Sequence, residues 1–131
     1  MTSARAWQFG LVAAALVAGG SLAPTRAADL ERGKASFDKC AACHGLGGEA
    51  DLDGPTLKDV MGRQAGSLEG YRYSAAMKRS GVTWTTMTLD AYITDPQEFI
   101  KGNRMAFAGI ADQAERADLI AYIEQASKAA P

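Results

Sequence analysis

Apolar positions fall first into one unbroken run and then into short helical spacings. Phe9 to Ala18 (FGLVAAALVA) is continuously apolar and stops at Gly19-Gly20. Arg5 stands ahead of it, and Thr25-Arg26-Ala27 follows with small residues on either side of a cut after Ala27. A positive start, a short apolar centre and a small-residue exit are the order of a secretory signal peptide. The run is also shorter than the roughly 18 apolar residues of a spanning helix. The pattern therefore predicts an export segment at 1–27, removed on maturation, and a single domain over 28–131. A retained segment would instead tether the domain to a membrane.

Beyond residue 28 the spacing is helical. Asp29 predicts the N-cap of a helix running to about Cys40, with Leu30, Gly33 or Lys34, and Phe37 along one face. Thr88 predicts the cap of a helix carrying Leu89, Tyr92 and Ile93, which has to end before Pro96. Asp95-Pro96-Gln97-Glu98 opens another, with proline at the first helical position. Asp112-Gln113-Ala114-Glu115 reads as a capping box. The helix after it runs to about Lys128 and turns Leu119, Ile120, Tyr122 and Ile123 inward. Pro55 to Gly62 and Ser74 to Arg79 are predicted as short helices, the second ended by Gly81. Gly-rich loops fill 45–54 and 62–70. Neither a hairpin nor an internal repeat is evident. The class is all-α: three main helices, short helices and long loops.

Composition narrows the function. The chain has 131 residues, with 14 basic against 15 acidic side chains and a net charge of −1. That balance offers no basic surface for nucleic acid. Apolar content of 47% with 22% charged residues is that of a folded domain rather than a disordered one. Two cysteines and one histidine are too few for a disulfide scaffold or a closed structural zinc site.

Those three residues stand together as Cys40-Ala41-Ala42-Cys43-His44. C-x-x-C-H is the attachment signature of a c-type haem. On a helical turn, residues three and four apart share a face. Both sulfurs then reach the porphyrin edge to form thioethers, and the imidazole follows directly beneath the iron. A thioredoxin-like motif would need a βαβ setting, and no strand pattern precedes it. A zinc site would need further Cys or His ligands, which the chain lacks. Long loops leave a thin core for this length, and a buried haem would supply the missing apolar volume. A chain of this kind is expected to fold poorly without its cofactor.

The landmarks around the motif, in order, are Gly33-x-x-x-Phe37, Gly54-Pro55-Thr56-Leu57, Gly62-Arg63, Tyr71-x-Tyr73-Ser74, Gly81-Val82-Thr83-Trp84, Leu89-x-x-Tyr92-Ile93-x-Asp95-Pro96, Gly102-Asn103-Arg104-Met105 and Glu115-Arg116-Ala117-Asp118-Leu119. Over about Glu31 to Ser127 the chain resembles the class I c-type cytochromes, the mitochondrial protein and its bacterial periplasmic relatives. The resemblance implies a small cytochrome c fold wrapped around one covalently bound haem c. It implies that His44 and Met105 are the axial iron ligands, and that the Pro55 carbonyl fixes the other ring nitrogen of His44. Arg63, Tyr73 and Trp84 would bond the propionate region, and Tyr92 would lie near the Met105 sulfur. Gly33 and Phe37 would pack on Leu119 and Tyr122 where the first and last helices cross. A thioether opposite an imidazole favours reduced iron and raises the potential.

Departures from the family pattern carry expectations of their own. Lys101 stands where the family often has proline, which would loosen the Met105 loop. Met77 replaces a polar asparagine of the mitochondrial forms and would shift the potential. Of the lysine ring around the mitochondrial haem edge, Lys39, Lys101 and Arg104 match, whereas Gln97, Glu98 and Asp112 do not. The acidic run Glu49-Ala50-Asp51-Leu52-Asp53 lacks EF-hand spacing and reads as a solvated loop.

The function these readings predict is that of a soluble, monomeric, periplasmic one-electron carrier, not an enzyme. It would exchange electrons through a haem edge beside Lys39 and Arg104. Its partners would be donor and acceptor redox proteins, some of them membrane complexes, with neither nucleic acid nor a small-molecule substrate. A haem enzyme or gas sensor with open iron is the rival, and the Met105 loop argues against it.

Overall fold

Polar side chains decide where the helices begin. The computed structural model describes residues 26–48 and 53–129. The export segment expected at 1–27 lies outside them except for Arg26 and Ala27, and so do Glu49 to Leu52 of the acidic run. In chain order the helices are α1 (Leu30–Ala41), α2 (Ala75–Arg79), α3 (Thr86–Thr94), α4 (Pro96–Phe99) and α5 (Gln113–Ala129). Asp29, Ser74, Thr85 and Asp95 cap the first four, each side chain accepting a backbone N–H of the first turn. Asp112 does the same for α5, taking the Glu115 N–H at 2.7 Å. Among the described residues there is no strand, only one antiparallel bridge between Gln64 and Thr83. None of the described helices is long and apolar enough to cross a membrane.

Three expectations about helix starts and extents need correction. The cap of α3 is Thr85, not Thr88. Thr88 is the third residue of the helix, and its hydroxyl accepts the Thr85 N–H at 2.8 Å, closing a capping box of two threonines. The helix expected over Pro55 to Gly62 is a pair of turns, Val60 N–H to Leu57 and Arg63 N–H to Val60. Asp59 sits at φ +51°, a left-handed conformation that a right-handed helix cannot run through. At α5 only half of the capping box forms. The Glu115 carboxylate turns away to accept from Ser36 Oγ at 2.6 Å and from Lys39 Nζ.

The crossing of α1 and α5 fixes the frame. A Cβ on Gly33 would lie 2.1 Å from the Asp118 carbonyl oxygen, so only glycine lets the two backbones meet there. Phe37 and Tyr122 pack beside it, their rings tilted and their centroids 5.7 Å apart. Asp118, 2% exposed, closes the crossing. Its carboxylate takes the Asp29 N–H at 2.7 Å and Arg32 Nε at 3.0 Å and, while the segment before residue 28 is attached, an Arg26 guanidinium nitrogen at 2.8 Å. Leu119, Ile120 and Ile123 of α5 carry the core onto Leu89 and Ile93 of α3. Leu30, expected on the inward face, stays 39% exposed.

Candidate haem site

The helical turn of α1 does not stop at its last assigned residue. Cys43 N–H and His44 N–H both donate to the Cys40 carbonyl, at 3.0 and 2.9 Å. The C-x-x-C-H run is therefore wound as one turn, with its three reactive side chains on one cavity. That cavity holds about 480 Å³, a volume typical of cofactor pockets. The structure brings all nine sequence-predicted residues to it: Cys40, Cys43, His44, Pro55, Arg63, Tyr73, Trp84, Tyr92 and Met105. Met77, Lys39 and Arg104 line it as well.

His44 is held by backbone. The Pro55 carbonyl lies 2.7 Å from Nδ1. A carbonyl can only accept, so Nδ1 carries the proton and Nε2 keeps its lone pair. Burial, with Arg63 adding to it, pushes the imidazole pKa down against the pull of the Pro55 bond. The neutral ring is the metal-ligating form. Gly54 clears the space: a Cβ there would stand 2.6 Å from Cε1 of His44. Sequence reasoning named Gly54 as a landmark but did not assign it this contact.

Met105 is held by side chains instead. Tyr92, on α3, directs its hydroxyl to the sulfur at 3.5 Å. Burial raises that phenol to about 12, so it stays a donor throughout the ordinary pH range. Asn103, 6% exposed, is the hub. Its Nδ2 donates to the carbonyls of Pro96 at 2.7 Å and Ile100 at 2.9 Å. Its Oδ1 accepts the Met105 N–H at 2.8 Å and the Tyr92 hydroxyl at 3.3 Å. Gln97 donates to the carbonyls of Asn103 and Met105. Lys101, expected to loosen the loop, pairs with Glu98 at 3.5 Å. Sequence reasoning named Asn103 within a landmark and Gln97 as a departure from the lysine ring, but assigned neither a part in holding Met105.

Arg63 and Trp84 are locked to each other through backbone, Trp84 N–H to the Arg63 carbonyl at 2.9 Å. The Arg63 guanidinium donates to the carbonyls of Lys58 at 2.9 Å and Thr56 at 2.8 Å. It thus braces the loop that carries Pro55 while facing the cavity. Trp84 tilts against Tyr92 with centroids 5.1 Å apart, and Tyr73 packs edge-on to Tyr71 at 4.7 Å. At the mouth, Lys39 is engaged by Glu115, whereas Arg104 donates to the Arg72 carbonyl at 2.8 Å.

The donor set suits a haem: two thiols for thioether bonds, and an imidazole and a thioether for iron. A predominantly apolar wall with a few arginines and tyrosines suits a porphyrin that carries carboxylates. The comparisons agree. The family model described as "Cytochrome c" matches residues 30–127. Cytochrome c2 of Blastochloris viridis is 43% identical over 116 residues, which is 88% of this chain and 91% of that protein. Cytochrome c-550 of Nitrobacter winogradskyi is 46% identical over 101 residues, 76% of this chain and 93% of that one. Among solved structures, cytochrome cH from Methylobacterium extorquens superposes with a TM-score of 0.70 at 40% identity, covering 74% of this chain and 98% of that one. A C-x-x-C-H turn, a cavity of cofactor size and these relatives lead to one assignment: the chain belongs to the cytochrome c family and carries one covalently attached haem c.

Proposed function

We propose that this electron-transfer protein works as a periplasmic single-electron shuttle whose iron is held between His44 and Met105. The family is one of electron carriers, not of enzymes. When bound, the haem supplies the one-electron couple. The chain supplies everything else. Cys40 and Cys43 tether the group, and Pro55 aims His44 by fixing its tautomer. Asn103 and Tyr92 hold Met105 in place, so the ligands need little rearrangement on electron gain or loss. Arg63, Tyr73 and Trp84 face the region where the haem carboxylates would lie, and Arg matches a carboxylate well. Partners are donor and acceptor redox proteins, approached at the mouth beside Lys39 and Arg104. Export through a removable 1–27 segment accounts for haem attachment outside the cytoplasm.

The observation that carries this reading is the convergence on a single cavity of the one imidazole, fixed by the Pro55 carbonyl, and of the Met105 thioether, the methionine sulfur to which Tyr92 directs its hydroxyl. Absorption spectroscopy of the mature holoprotein tests it. Ferric protein should show the weak sulfur-to-iron charge-transfer band, and ferrous protein should refuse carbon monoxide. Ready carbon monoxide binding without the band would mean open iron and would end the carrier reading.

A further inference from the structure

The far end of the Met105 loop is tied down by a buried arginine that touches neither the cavity nor a ligand. Arg116, on the first turns of α5, has a side chain only 8% exposed. Its Nη1 donates to the carbonyls of Ile110 and Ala111, both at 2.9 Å. Its Nε donates to Asp90 Oδ1 at 2.8 Å, and Nη2 reaches Asp90 Oδ2 at 3.4 Å. One guanidinium thus joins α5, α3 and the last residues of the loop.

The other contacts of that loop lead back to α3 one residue at a time. Tyr92 meets the Met105 sulfur. The Ile93 carbonyl accepts the Ile110 N–H at 2.9 Å. Gly109, at φ +99°, lies so close to Thr94 that a Cβ would meet its carbonyl at 2.2 Å. Residues 90, 92, 93 and 94 of α3 therefore act as a template on which 105–111 is laid, and Arg116 keeps template and loop together.

We propose that Arg116, paired with Asp90, is a positioning residue for the sixth-ligand side of the iron: it sets how readily Met105 leaves. The inference rests on Met105 being that ligand. Without Arg116, the Ile110 and Ala111 carbonyls lose their shared donor; Ile110 is buried, and an orphaned buried carbonyl costs free energy. It would find water most easily by letting 106–111 lift from α3. Lysine keeps the charge but lacks the fork that serves two carbonyls and a carboxylate together.

Imidazole titration of the ferric holoprotein reads loop release directly, because external imidazole binds only where Met105 has left. Arg116→Lys should raise its apparent affinity about tenfold, and Asp90→Asn a few-fold in the same direction. Asp118→Asn is the control. It weakens the α1–α5 crossing and lowers the unfolding midpoint, but should leave imidazole affinity within about twofold of wild type. Unchanged affinity in Arg116→Lys overturns the proposal. So does an equal rise in Asp118→Asn, which would make release a matter of global stability. Should Arg116→Lys fail to yield folded holoprotein, Asp90→Asn decides alone, and affinity equal to wild type overturns the proposal. Failure of the underlying ligation is read separately, as a missing sulfur–iron band in wild type before any variant is made.

Discussion

The two sides of the cavity are built by different means. On the His44 side, five consecutive residues wind one turn, and the imidazole is fixed by a backbone carbonyl eleven positions on. On the Met105 side, only the Asn103 bonds are local. The loop is held by Tyr92 from α3, Gln97 from α4, Asn103 within itself and Arg116 from α5. A backbone clamp depends on few side chains and is hard to remove by substitution. A side-chain network is assembled only when three helices are already packed, and each member can be deleted singly. The Met105 side is therefore where stability, ligand lability and tuning should meet.

Both sides of the cavity should fail together when the tether is cut. A Cys40→Ser/Cys43→Ser chain should retain no haem after acid–acetone extraction. Without haem, the cavity of about 480 Å³ sits in the middle of the core. An unfilled cavity of that size is far beyond what side-chain relaxation can close. Circular dichroism of this variant should show no cooperative thermal transition. A sharp melt would mean that the α1–α5 crossing holds the fold without the cofactor.

Single substitutions then separate the two sides. Asn103→Ala removes four bonds. The Pro96 and Ile100 carbonyls keep the backbone N–H groups of Ile100 and Asn103, but the Met105 N–H loses its acceptor. With about 1–3 kcal/mol for that orphaned group and the loss of the other bonds besides, it should be the more damaging change, and it should bleach the sulfur–iron band. Gly54→Ala pushes a methyl against the His44 ring and, as overpacking, should cost about 1–3 kcal/mol. It should leave the band in place, because the Met105 loop is untouched. Denaturant unfolding together with the ferric spectrum of each variant checks both. A bleached band in Gly54→Ala would show that the two sides are mechanically coupled.

How much of this was legible follows from the same difference. Asp29, Asp95 and Asp112 announced their helices because a cap bonds within its own first turn. The C-x-x-C-H turn could be read for the same reason. Thr88 misled because two threonines three apart both satisfy the cap pattern, and only the backbone shows which is outside the helix. Pro55 to Gly62 has helical composition, but Asp59 takes a left-handed conformation, its N–H pointing to the Ser127 carbonyl of α5. Glu115 abandoned its capping role for Ser36 and Lys39, which lie 79 and 76 positions away. Arg116 entered the sequence analysis only as part of a landmark, with no role of its own. Its burial depends on Asp90 and on two carbonyls that only the folded chain brings to it.

At the mouth of the cavity the two sides differ in charge, and the expected effects there are small. Lys39, from the His44 side, is held by Glu115, and Arg104, from the Met105 side, donates to a neutral carbonyl. The free positive charge should therefore lie on the Met105 side. Lys39, and Ser36 after it, hold the Glu115 carboxyl below its ordinary range. A depressed carboxyl pKa means the pair is complete above about pH 4 and is lost as pH falls through the lowered folded value. Glu115→Gln should mimic that loss at neutral pH and unmask Lys39. One elementary charge about 10 Å away in water is worth roughly 0.4 kcal/mol, a factor of about two in rate. Electron transfer with an anionic iron complex should therefore quicken about twofold in Glu115→Gln and slow about twofold in Arg104→Gln at low salt. Both differences should vanish near 1 M salt, where screening reaches only about 3 Å. Stopped-flow rates at two salt concentrations are enough. Acceleration that survives high salt would mean that Glu115 acts by holding α1 against α5 rather than by its charge.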